Sequence, residues 1–132
     1  MAKLIHTMIR VRDLDRALQF YQTAFNFDVA HRLDFPEFTL VYLRNDEADA
    51  EIELTWNKGR AEPYSHGDGY GHVAVCVDDA KGERQRLIDL GMTPNDLREF
   101  RRDDGEMLAR YFFIQDPDGY KIEVLERHGH YQ

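Results

Sequence analysis

The chain has almost no cysteine, no long apolar run and no excess of positive charge. Its one cysteine, Cys76, excludes an intrachain disulfide and fits a reducing compartment, so a cytoplasmic protein is expected. No stretch reaches the roughly 18 consecutive apolar residues that would span a bilayer. The opening residues Met1-Ala2-Lys3-Leu4-Ile5-His6 lack the apolar centre of a secretory signal. Lys and Arg total 17 against 25 Asp and Glu, a formal net charge of −8. Such a surface repels phosphate backbones and anionic lipid, which argues against nucleic-acid and membrane partners. What remains is ordinary globular material. With 132 residues, 42% hydrophobic and 12% aromatic, the chain is long enough for a single domain over 1–132 with a packed core.

The pattern along the chain is that of a module repeated. Residues 4–12 alternate as a strand, with Ile5, Thr7, Ile9 and Val11 on one side and His6, Met8 and Arg10 on the other. Asp13 is a helix cap, and Leu14, Ala17, Leu18, Tyr21 and Phe25 recur at helical spacing before Asn26, a left-handed stop. Strand-like runs follow at about 28–34, 38–44 and 50–57, with turns at Pro36-Glu37 and Asn45-Asp46. A polar, glycine-bearing linker covers 58–69. The pattern then restarts. Gly71–Val77 is a strand that includes His72, Asp78 or Asp79 caps a helix that ends at Gly91, and strands are expected at about 93–100, 107–115 and 120–126. Asp116-Pro117-Asp118-Gly119 is the last turn.

The two repeats, 4–57 and 70–126, match in chemistry as well as in pattern. His6 and His72 are 66 residues apart, the helix stops Asn26 and Gly91 are 65 apart, and Glu53 and Glu123 are 70 apart. Helices cover one face of each small sheet, so the opposite faces, bearing His6 with Glu53 and His72 with Glu123, line a shared concave surface. Two imidazoles and two carboxylates on such a surface need a compensating charge. One divalent cation supplies it, and two nitrogens with two oxygens leave octahedral positions open for catalysis. His31, His66, His128 and His130 lack this symmetry and are read as surface residues. Cys76 is read as a small strand residue.

Four segments carry a resemblance: His-Thr-Met-Ile-Arg-Val at 6–11, Ile-Glu-Leu-Thr-Trp-Asn at 52–57, Gly-His-Val-Ala at 71–74 and Asp-Pro-Asp-Gly-Tyr-Lys-Ile-Glu at 116–123. Together they resemble bacterial glyoxalase I, the lactoylglutathione lyases of the vicinal-oxygen-chelate superfamily. The resemblance implies an α+β fold of two tandem βαβββ modules, forming an open eight-stranded curved sheet around the metal. It implies a homodimer whose metal sites are completed across subunits, with His6, Glu53, His72 and Glu123 as ligands. The implied reaction isomerises the hemithioacetal of methylglyoxal and glutathione to S-D-lactoylglutathione, with Glu123 as first base and Glu53 assisting. Arg10, Thr55 and Asn57 fall where the family holds the γ-glutamyl end of glutathione. Likeness to the short bacterial class favours nickel or cobalt, with zinc as the other candidate.

The stretch Arg98–Glu106 departs from the family's glycine-rich loop and its lysine. Arg101, Arg102 or Arg110 replaces that lysine at the glycyl carboxylate, or the substrate differs, or the stretch is a charged hairpin tip. Other functions share the fold. An extradiol dioxygenase would use two His and one Glu on iron, and Glu53 argues against it. A methylmalonyl-CoA epimerase carries Gln where this chain has Glu53. A non-catalytic binder has no need of the full ligand set.

Overall fold

The computed structural model describes all residues 1–132, which divide into two compact units, Met1–Ser65 and His66–Gln132. The first unit runs β1 (His6–Val11), α1 (Leu14–Phe25), β2 (Asp28–Asp34), β3 (Phe38–Arg44) and β4 (Glu51–Asn57). Its strands order as β1-β4-β3-β2, with β1 parallel to β4 and the other pairs antiparallel. The helix is fixed at both ends as its sequence predicts. The Asp13 side chain accepts from the Arg16 amide, and Asn26 adopts the left-handed conformation at φ 54°. Leu14, Ala17, Tyr21 and Ala24 face inward against Ile9, Val11, Val41, Leu43 and Leu54, all buried. Alternation therefore holds along β3, where Val41 and Leu43 are buried and Leu40 and Tyr42 sit on the other face. It fails at the start of β1. Thr7 is exposed, as is Ile5 just ahead of the strand, because the buried side of β1 begins only at Ile9.

The second unit repeats the order: β5 (Val73–Val77), α2 (Ala80–Asp89), β6 (Arg98–Arg101), β7 (Met107–Gln115) and β8 (Lys121–Glu126). Its strands order as β5-β8-β7-β6, with β5 parallel to β8. Asp79, rather than Asp78, caps α2, accepting from the Gly82 amide. Phe112, Ile114, Ile122, Val124, Ala80 and Leu87 form its core. Two expectations need correction. The strand expected at 93–100 is only Arg98–Arg101. Pro94 has no amide to donate to a ladder. Asn95 instead ties the connection to β7, its backbone donating to the Phe113 carbonyl at 2.9 Å and its side chain accepting from the Phe113 amide. Likewise β5 begins at Val73, so His72 precedes the strand instead of lying within it.

Each unit is thus a βαβββ module with a four-stranded mixed sheet, the eight expected strands falling into two sheets of four. No helix is long and apolar enough to cross a membrane.

Candidate metal centre

In the first unit the parallel pairing of β1 and β4 sets Met8 opposite Glu53 and Arg10 opposite Thr55. His6 lies two residues before Met8, hence on the same face and one diagonal step from Glu53. Its Nε2 stands 3.0 Å from Glu53 Oε2. Glu53 is buried, at 8% exposure, and its other oxygen accepts from the Thr55 hydroxyl at 3.3 Å. A buried carboxylate between a hydroxyl and an imidazole is oriented at both oxygens. Arg10 is exposed beside Thr55, and the half-buried Asn57 side chain donates to the Tyr64 hydroxyl at 3.1 Å.

Two further residues join this face without having been singled out by the sequence. Tyr42 is the cross-strand partner of Glu53 on β3 and sets its ring edge-on to His6, with centroids 5.5 Å apart at 70°. Burial first, then the negative charges of Glu53 and Glu51, push its phenol above the usual tyrosine range. A register shift between Val29 and His31 then brings His31 opposite Tyr42, their rings 6.0 Å apart. Bulges of this kind re-aim side chains. His31 is exposed, as expected, yet it ends a row running His31, Tyr42, Glu53 across the sheet.

The second unit repeats the construction. Ala74 pairs with Glu123 across β5 and β8, and His72, two residues before Ala74, takes the same diagonal. Its Nε2 lies 3.6 Å from Glu123 Oε1. Phe113 is the cross-strand partner of Glu123 and sets its ring edge-on to His72, at 5.3 Å and 77°. Phe113 is therefore the counterpart of Tyr42 without the hydroxyl. Sequence reading could have found both aromatics by carrying the repeat one strand further.

The donor set fits a divalent ion. Two ligand atoms about 2.1 Å from one metal lie about 3.0 Å apart at a right angle and about 3.4 Å apart at the tetrahedral angle. The His6–Glu53 and His72–Glu123 separations stand close to that range. Neither unit gathers three or more potential ligands of its own, so each offers one His–Glu pair.

The hairpin arginines are engaged elsewhere. Arg101 donates from Nε to Glu99 and from Nη1 to the Gly105 carbonyl, at 2.9 and 2.8 Å. Arg110 bridges Glu99 and Glu126, each at 3.0 Å, and Arg102 pairs with Glu106 at 3.0 Å. Glu126 is three residues from Glu123 along β8, so it points to the opposite face. The Arg101–Glu99–Arg110–Glu126 chain therefore follows the face away from Glu123. Each of these guanidinium groups is paired with a carboxylate of its own unit. Arg110 first, then Arg101, holds the Glu99 carboxyl below the usual glutamate range.

With this geometry in view, likeness to known proteins is specific. The family described as the Glyoxalase/Bleomycin resistance protein/Dioxygenase superfamily matches residues 3–124. The lactoylglutathione lyase of Haemophilus influenzae is 40% identical over 128 residues, 94% of this chain and 92% of that one. The chain belongs to the glyoxalase I family of that superfamily. A second lactoylglutathione lyase, from Neisseria meningitidis serogroup B, is 40% identical over 131 residues, 95% of this chain and 91% of the relative. Among solved glyoxalase I structures, the trypanothione-dependent enzyme of Leishmania major superposes with a TM-score of 0.76 at 33% identity, covering 96% of this chain and 87% of that one. Glyoxalase I from Zea mays superposes at 0.81 and 28% identity, 96% of this chain matching 45% of the longer maize chain. The paired βαβββ modules are thus the glyoxalase fold.

Proposed function

We propose that this chain is a metal-dependent lactoylglutathione lyase that isomerises the hemithioacetal of methylglyoxal and glutathione to S-D-lactoylglutathione. The observation that carries the reading is the repeated diagonal: His6 against Glu53, and His72 against Glu123, at equivalent registers in two modules. His6, Glu53, His72 and Glu123 are its metal ligands. The metal is nickel or cobalt, as in the short bacterial class, with zinc as the alternative. A divalent ion supplies Lewis acidity for the negative charge that develops on two vicinal substrate oxygens. Glu123 takes the proton from the carbon that bears sulfur and returns it to the neighbouring carbon. The hydroxyl proton passes from the oxygen on the first carbon to the oxygen on the second, so the first carbon becomes the thioester carbonyl and the second carries the hydroxyl, with nothing gained or lost. Glu53, oriented by Thr55, assists. Arg10, with Thr55 and Asn57, binds the γ-glutamyl end of glutathione. Arg101 and Arg102, each paired with a carboxylate on the exposed hairpin, are the groups proposed for the glycyl carboxylate of glutathione.

The working form is a cytoplasmic homodimer in which one subunit's His6 and Glu53 share the ion with the other's His72 and Glu123. Support comes from the single His–Glu pair in each unit. It also comes from β1, an edge strand that exposes Met8, with Leu4 and Ile5 exposed just ahead of it. An open apolar edge of this kind calls for a cover. The test is thioester formation, followed in the ultraviolet, from methylglyoxal and glutathione with metal-depleted protein reloaded in turn with nickel, cobalt and zinc. Turnover restored by at least one ion is expected. None with any ion would overturn the reading.

A further inference from the structure

His6 and His72 occupy equivalent positions but are held there by different means. His6 belongs to the ladder, and the residue before it is already tied down, since the Glu51 amide donates to the Ile5 carbonyl at 2.9 Å. His72 lies ahead of its strand with 42% of its side chain exposed. An imidazole on loose backbone would spend little time within reach of Glu123 unless the segment leading to it were fastened.

Three rings do the fastening. The Tyr70 hydroxyl donates to the Lys121 carbonyl at 2.9 Å, and its ring meets Tyr120 edge-on at 5.2 Å and 64°. Tyr120 is buried, at 7% exposure, and its amide donates to Asp116 Oδ1 at 2.9 Å, which fixes the turn that opens β8. His66 lies flat on Tyr120, centroids 4.1 Å apart at 11°. Tyr70 is two residues from His72, and Lys121 is two from Glu123, so the clamp joins the approaches to both.

We infer that Tyr70 and Tyr120, with His66 stacked on them, are positioning residues for the metal: they set the reach of His72 to Glu123 as the ladder sets that of His6 to Glu53. The inference rests on the metal reading of the preceding subsection. Its test is Tyr70→Phe, which keeps the ring and deletes the hydroxyl with its bonds to the Lys121 carbonyl and the Val73 backbone. The readouts are nickel and cobalt affinity by calorimetry, the visible spectrum of the cobalt form, and the melting temperature of the metal-free protein. Affinity should fall about tenfold or more, as for other groups that orient ligands. The cobalt spectrum should change, while the metal-free protein melts as the wild type does. His66→Phe, which preserves the stack, should keep wild-type affinity, and His66→Ala should lose it. Unchanged affinity in Tyr70→Phe would overturn the inference, as would a loss matched by an equal loss of metal-free stability. Equal affinities for His66→Phe and His66→Ala would remove His66 from the clamp. Wild-type protein that binds no divalent ion would instead defeat the metal reading itself.

Discussion

His6 and Glu53 sit on neighbouring parallel strands but not on the same rung: the histidine pairs with Glu51, and its Nε2 reaches diagonally to Glu53 Oε2 at 3.0 Å. A directly opposed pair would stack side by side. The diagonal instead brings a nitrogen and an oxygen toward one point above the sheet. Each module also closes the diagonal with an aromatic edge, Tyr42 in one and Phe113 in the other.

Glu123→Gln separates metal binding from proton transfer. The amide keeps the size and a carbonyl oxygen but takes no proton at neutral pH. Turnover is expected to fall by at least about a hundredfold, within the range general-base removal costs, with much of the metal retained. Elemental analysis beside steady-state kinetics checks this. Near-normal kcat with metal bound would remove Glu123 from the role of base.

Arg10→Ala tests the substrate's anionic end. A charge-assisted hydrogen bond contributes about 1.5–3 kcal/mol, so KM for the hemithioacetal should rise by roughly one to two orders of magnitude with metal content unchanged. Unchanged KM and kcat would end the glutathione-anchor role. Lower metal affinity or thermal stability would make the residue structural.

Asp13→Ala removes the one side chain that accepts from the Arg16 amide at the start of α1. A loss of about 1 kcal/mol is expected, the usual cost of a lost cap. Denaturant unfolding with kinetics on the folded enzyme measures it, and kcat/KM should not move, because α1 supplies no group to the site.

The Glu99 carboxyl sits below its ordinary value of 4.5, chiefly through Arg110 and then Arg101. Its folded value is thus lower than its unfolded one, so its stabilising effect is present above the ordinary value and is lost as pH falls through the folded value. The group is exposed, and the effect on the whole protein is small. Nuclear magnetic resonance titration of the Glu99 side chain should give a midpoint below 4.5, and Arg110→Ala should raise it. A wild-type midpoint at or above 4.5 would contradict the hairpin ion pairs.

Much of this architecture was legible because short-range chemistry fixes it. Asp13 and Asn26 bound α1 where their capping and left-handed preferences put them. The His and Glu spacing exposed the repeat because these residues are not required by packing. What escaped depended on contacts between strands. The place of His31 follows from a register shift in β2, which periodicity does not record. Tyr42 read as one more strand aromatic until its pairing with Glu53 was known. His72 read as a strand residue because Gly71-His72 continues the apolar run, whereas the ladder begins one residue later. That Arg101 pairs with Glu99 and Arg102 with Glu106 depends on how the hairpin folds, which residue spacing does not record.

The most direct test of the central claim is complementation between two inactive chains. One carries His6→Ala with Glu53→Ala, the other His72→Ala with Glu123→Ala. If each ion is shared between the first module of one subunit and the second module of its partner, a mixed dimer rebuilds one complete four-ligand site beside one with no ligands. The account predicts that unfolding and refolding the two chains together restores one bound metal per mixed dimer, with turnover, while each chain alone has neither. A mixed dimer that forms but binds no metal and does not turn over would contradict it.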